Sequence, residues 1–174
     1  MHFKNRENEY YNSFGFETEN FHNSNLNQNR FHAIYFIDYE TGSLLLSNKY
    51  SKKSNICNAD EDLIGSFLNA INLFINELNK NDKTEETIQE INFIDTRILY
   101  ERKGRLMVIG ISKKTNLSIE RKILKNILFD FYSRFKKKIE HFNGIIDKEM
   151  LNYGKFLNDL NLNTLSRIKI YEKI

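Results

Sequence analysis

Two short runs of this chain are apolar on both alternating faces, and they restrict the fold more than any other feature. In Phe31–Asp38 (FHAIYFID), Phe31, Ala33, Tyr35 and Ile37 fall on one face and Ile34 and Phe36 on the other. Leu106-Met107-Val108-Ile109-Gly110-Ile111 is likewise apolar on both. A strand of this kind needs a covering layer on each side, so both runs belong near the centre of a sheet covered on both faces.

The segments between them supply the remaining elements. Tyr39-Glu40-Thr41-Gly42 places a glycine where a hairpin needs positive φ, and Ser43 to Tyr50 returns as a strand that turns polar at Asn48 and Lys49, the pattern of an edge. Asn58 and Glu61 form a capping-box pattern, and Asp60, Glu61 and Asp62 set negative charge at the positive end of the helix they open. In that helix Leu63, Ile64, Phe67, Leu68, Ile71, Phe74, Ile75 and Leu78 fall within one broad arc, expected to face a sheet. After a polar linker, Asn79 to Thr87, three strand-like runs follow: Glu90 to Ile94, Thr96 to Arg102 and Arg105 to Ser112, the last two joined at Lys103-Gly104. Ser118 is expected to open a long amphipathic helix ending near Gly144, and a last helix carries Ile146, Met150, Tyr153, Leu157 and Leu160. The reading is an α/β (α+β) domain over 31–160, in the order β-β-α-β-β-β-α-α. Residues 1–30 form an Asn-rich tail that holds Tyr10, Tyr11, Phe14, Phe16 and Phe21 without a helical or alternating period; 161–174 form a second tail.

This order, with AIYFIDYETGSLLLSNKY as opening hairpin, an amphipathic helix after DED, TRILYERKGRLMVIGIS as closing hairpin and FDFYSRFKKKIEHFNGIIDKEMLNYGKFLNDL as two closing helices, resembles the longin domain. That module occurs in longin trafficking proteins and small sigma-type adaptor subunits. The resemblance implies a five-stranded antiparallel sheet with one helix on one face and two on the other. Roadblock domains share the architecture but open with a helix, for which 1–30 shows no period.

Composition narrows the function. The 174 residues include 40% hydrophobic and 28% charged ones, enough for one ordinary core, and no apolar run approaches the roughly 18 residues of a membrane-spanning helix. The polar start, Met1 to Asn12, has neither a secretory nor a transit-peptide pattern, so the expected location is cytoplasmic, with peripheral attachment to membranes left open. A net charge of +3 gives no reason to expect nucleic acid. Cys57 is the single cysteine, His2, His22, His32 and His141 are scattered, and neither a phosphate-cradling glycine loop nor a nucleophile or zinc motif occurs. Asp38 and Glu40 read as turn acids rather than a catalytic pair. No catalytic residue, metal ligand or cofactor is assigned.

Two surfaces are candidates for binding. Opposite the expected buried arc of the first helix lie Gly65, Ser66, Asn69, Asn72, Leu73 and Asn76, a neutral face; Gly65 costs about 1 kcal/mol relative to alanine in a helix, and a close approach by another backbone would be a reason to keep it. The second is basic: Arg102, Lys103 and Arg105 at a hairpin tip and Arg134, Lys136, Lys137 and Lys138 late in the long helix, with Arg121, Lys122 and Lys125 nearer its start. It suits an acidic protein surface or, weakly, an anionic membrane, and the late lysines also complement the helix dipole. With the resemblance, the expected function is a non-catalytic interaction platform for a small GTPase or a longin/roadblock-type subunit, a homodimer included. A PAS-like small-molecule sensor and a profilin-like actin binder are the alternatives.

Overall fold

A computed structural model describes residues 30–50, 61–78 and 88–159. Both tails lie outside these residues except for Arg30, as do Cys57, His2, His22 and most of the expected capping box. Five strands form one antiparallel sheet: β1 (Phe31–Asp38), β2 (Leu44–Lys49), β3 (Glu90–Asn92), β4 (Arg97–Lys103) and β5 (Leu106–Ser112), in the spatial order β2-β1-β5-β4-β3. The two strands with apolar side chains on both faces, β1 and β5, are inside the sheet, and their register pairs Tyr35 with Ile109 and Ile37 with Met107. Gly42 (φ +74°) closes the first hairpin and Gly104 (φ +57°) the β4–β5 hairpin, both in the left-handed region that glycine enters without strain.

The helices are α1 (Glu61–Leu78), α2 (Leu117–Glu140) and α3 (Lys148–Asp159). Cover for the sheet is divided between two cores. One, under α2 and α3, unites Phe31, Ile34, Phe36, Leu99 and Val108 with Leu124, Phe131 and Tyr153. The other, under α1, unites Ala33, Tyr35, Ile37, Met107, Ile109 and Ile111 with Ile64 and Leu68. This is the expected arrangement of one helix on one face and two on the other.

Local chemistry sets several boundaries that pattern alone placed elsewhere. Asn116, not Ser118, caps α2, its side-chain oxygen accepting from the Ile119 N–H at 3.0 Å. Glu120, fully buried, then accepts from the Thr115 N–H (2.7 Å), the Asn116 N–H (3.0 Å), the Ser112 hydroxyl (2.8 Å) and the Arg97 guanidinium (3.1 Å), tying β5 and β4 to the helix start. Asn48, expected to face solvent, is buried on β2 because α3 covers that strand; the Cβ that Gly154 lacks would lie 3.4 Å from Leu46 and 3.9 Å from Asn48 Oδ1.

Candidate functional site

The first helix turns a different side to the sheet from the one its hydrophobic arc indicates. Ile64, Gly65, Leu68 and Asn69 face inward. The Cβ that Gly65 lacks would lie 3.6 Å from Leu44 Cβ and 3.8 Å from Ile37 Cδ1, and Asn69 covers Gly42, its Nδ2 2.7 Å from an added Cβ there. Leu63, Phe67 and Phe74, expected inward, are 66%, 59% and 63% exposed, while Ile71 is half-buried. The neutral face expected outward is therefore split: Gly65 and Asn69 are buried, Ser66 and Leu73 are exposed, and the side chains of Asn72 and Asn76, like those of Ile75 and Leu78, lie outside the described ones. The correction has a physical reason. When apolar residues cover much of a helix, the hydrophobic arc does not say which part is buried, and small residues let the helix sit closest to the sheet. Gly65 faces side chains of the protein's own β1 and β2, at distances that leave room for one methyl.

On the outer side Leu63, Phe67, Ala70 and Phe74 follow at intervals of four, three and four, the spacing of a helix–helix seam. All four are exposed.

The basic residues divide into two groups that meet at one end of the sheet, where Arg105 Nη1 donates to the Glu140 carbonyl at 3.5 Å. Several charges are already matched. Arg105 holds buried Asp38 with two bonds, of 2.8 and 2.9 Å, and reaches Glu40 at 3.2 Å. Arg134 pairs with Asp130, and Lys138 with Asp147 and Glu149. Arg102 stacks on Tyr39 at 3.6 Å, and Lys103 lies over Phe129 at 4.1 Å. Lys136 and Lys137 are exposed. The group is thus a partly neutralised framework at the hairpin and helix end rather than one uniform patch. Asp38 shows the same internal use: burial pushes its carboxyl up, but Arg105 and Thr41 hold it below the usual aspartate range.

A third cluster, made by Arg121, Lys122 and Lys125, lies on the outer side of α2. Arg121 is paired with Glu90 (2.8 Å) and Glu101 (3.4 Å). Lys122 and Lys125 are exposed. Burial raises the Glu101 carboxyl against the opposing effects of Lys125 and Arg121.

Catalytic and metal chemistry has little to start from. His32 is half-buried near the start of β1, while His141 caps the far end of α2 with Nδ1 3.0 Å from the Lys137 carbonyl. Among the described residues no group of three His, Cys, Asp or Glu side chains could hold a metal ion, and no helix is long and apolar enough to cross a membrane.

No family model matches the chain, and no curated protein does. Known structures do. The MglB of Myxococcus xanthus is similar over 62% of this chain and 85% of that one, with a TM-score of 0.50 and 16% identity. A homology model of the full-length AP-3 complex in a stretched open conformation contains a chain similar over 74% of this chain and 93% of that one, at TM-score 0.40 and 11% identity. Such identities bear on the fold alone. The described residues have a longin-like fold.

Proposed function

We propose that this domain is a non-catalytic protein–protein interaction platform that docks a helical partner on the outer face of α1, the partner being a small GTPase or a longin/roadblock-type subunit. The observation that carries the reading is the exposed seam of Leu63, Phe67, Ala70 and Phe74 on a helix whose other side already packs on the sheet. Apolar side chains aligned at helix–helix spacing are what a partner's helix would bury, and aromatic residues dominate the energetics of such contacts. The fold does not supply this function by itself; the exposed side chains do.

The test uses the full chain and its double variant F67E/F74E. Molar mass by light scattering over a concentration series reads self-association, and pull-down against purified small GTPases reads a foreign partner. Association that F67E/F74E abolishes, with an unchanged circular dichroism spectrum, supports the reading. Associations insensitive to the variant, or no association in either assay, would remove it.

A further inference from the structure

We propose that the acidic, aromatic segment Glu7–Phe21 of this same chain docks on the outer side of α2, against Lys122, Lys125 and Phe129. This is independent of the platform reading, since α1 and α2 cover opposite faces of the sheet.

Charge complementarity is the first argument. Between Glu7 and Phe21 the sequence carries Glu7, Glu9, Glu17 and Glu19, has no Lys or Arg, and interleaves Tyr10, Tyr11, Phe14 and Phe16. The outer side of α2 offers the complement. Lys122 and Lys125 are exposed and are in no ion pair among the described residues, Phe129 is 42% exposed, and Lys103 lies over its ring. Nearby, Lys114 spends its ammonium on the carbonyls of Phe93 and Ile94, which leaves its charge without a counter-ion among those contacts.

Shape is the second argument. A cleft of about 230 Å³ opens between β4 and α2, lined by Ile88, Tyr100, Glu101, Arg121 and Lys125. A shallow depression of about 440 Å³ continues along Ser118, Lys122, Asn126 and Phe129. The cleft is smaller than the roughly 300–1,000 Å³ of small-molecule sites, so it suits a single side chain better than a free ligand. Lysines beside an aromatic ring would take carboxylates and rings together.

Reach is the third. Arg30 is pinned at the foot of α2, its Nη1 2.9 Å from Thr115 Oγ1 and its carbonyl accepting from the Lys113 N–H at 3.0 Å. The chain therefore departs within a turn of Ser118, where the depression begins. Residues 22–29 can span up to about 26 Å, and Ser118 to Phe129 covers only about 17 Å of helix. A tether this short sets an effective concentration on the order of millimolar, so even a weak contact is populated.

The experiment uses the full chain with Cys57→Ser and a spin label at Ser13→Cys, reading paramagnetic broadening of backbone amides. At low salt, broadening should concentrate on residues 118–129 and spare 136–140. It should fade near 1 M salt, where screening acts within about 3 Å. K122E/K125E should abolish it, and adding E17K/E19K to that variant should restore it. Uniform broadening, indifference to salt and charge reversal, or a failed restoration would overturn the proposal. So would equal broadening of isotope-labelled, spin-free chains mixed with spin-labelled ones, because the occupant would then be a second copy.

Discussion

The two faces of the sheet use their apolar residues differently. Under α2 and α3, Phe36, Phe131, Phe135 and Tyr153 interlock, with ring centroids 4.5 Å apart for Phe36–Phe131, 4.8 Å for Phe131–Phe135 and 5.0 Å for Phe131–Tyr153. Most of the large side chains of those helices are spent on the core, with Phe129, Leu151 and Phe156 left exposed. Under α1, Ile64 and Leu68 provide the fully inward contacts, while Leu63, Phe67 and Phe74 stay outside. Folding accounts for most of the apolarity of the first face; on α1 the larger share of the big side chains is left over, and that remainder is what the proposed partner would bury.

Paired truncations test this contrast with the largest effect. Phe131→Ala, in the aromatic cluster, should lower unfolding free energy by about 3–5 kcal/mol, whereas Phe67→Ala should change it by no more than about 0.5 kcal/mol. Urea denaturation of the two variants measures both. Equal losses would mean that Phe67 belongs to the core and that the α1 seam is no seam.

A second difference is electrostatic. Glu120 is buried in the first turn of α2 against the sheet, and Asp38 is buried at the end of β1. Burial alone would raise both carboxyls, but Ser112, Thr115 and Asn116 lower Glu120, and Arg105 and Thr41 lower Asp38, so both sit below their ordinary values. Because each folded pKa lies under the unfolded one, near 4, their contribution is complete above that pH and lost as acid takes the pH down through the folded values. Unfolding free energy should therefore fall as the pH drops below about 5 and down through the folded values. Glu120→Gln should cost about 2 kcal/mol at neutral pH and flatten the fall, since a charge-assisted network is already gone. An E120Q profile parallel to the wild type would show that Glu120 carries none of the dependence.

What the sequence disclosed follows the same contrast. The central strands were legible because apolarity on both faces of Phe31–Asp38 and Leu106–Ile111 has a single structural meaning, burial from two sides. The helix order was legible from period and polar breaks. The orientation of α1 was not, because Leu63, Ile64, Phe67, Leu68 and Phe74 make an arc wide enough to serve either core or partner, and only the fit of Gly65 and Asn69 to β1 and β2 decides. Nor could spacing indicate that Arg105 is bound to Asp38 across the sheet end. Signals existed for both: a glycine inside a helix, and a lone acid closing an otherwise apolar strand.

Glycine substitutions sharpen the contrast at smaller scale, first on the crowded face. Gly110 of β5 lies under α2, and a Cβ there would fall 2.7 Å from Phe31 Cε1 and 3.1 Å from Leu124 Cδ1. Both are core side chains with no exposed surface, so relief requires shifting the ring or the helix. Gly110→Ala should cost about 1–3 kcal/mol, the usual range for overpacking, readable as a lower urea midpoint at unchanged slope.

Gly65 gives the smallest effect and the opposite sign. Its added Cβ would meet Leu44 and Ile37 at 3.6–3.9 Å, ordinary van der Waals contact, and its φ is not in the left-handed region. Nothing opposes the gain in helix propensity, so Gly65→Ala should stabilise the chain by about 0.5–1 kcal/mol. A larger side chain is another matter: Glu at the same position would drive a carboxylate into the β1–β2 contact and destabilise the fold without touching the outer seam. Differential scanning calorimetry of Gly65→Ala measures the room left at this contact. A raised midpoint fits a helix resting on the sheet with room for one methyl. A lowered midpoint would mean that Gly65 is a closer contact than 3.6 Å and that the helix leaves no room for a methyl there.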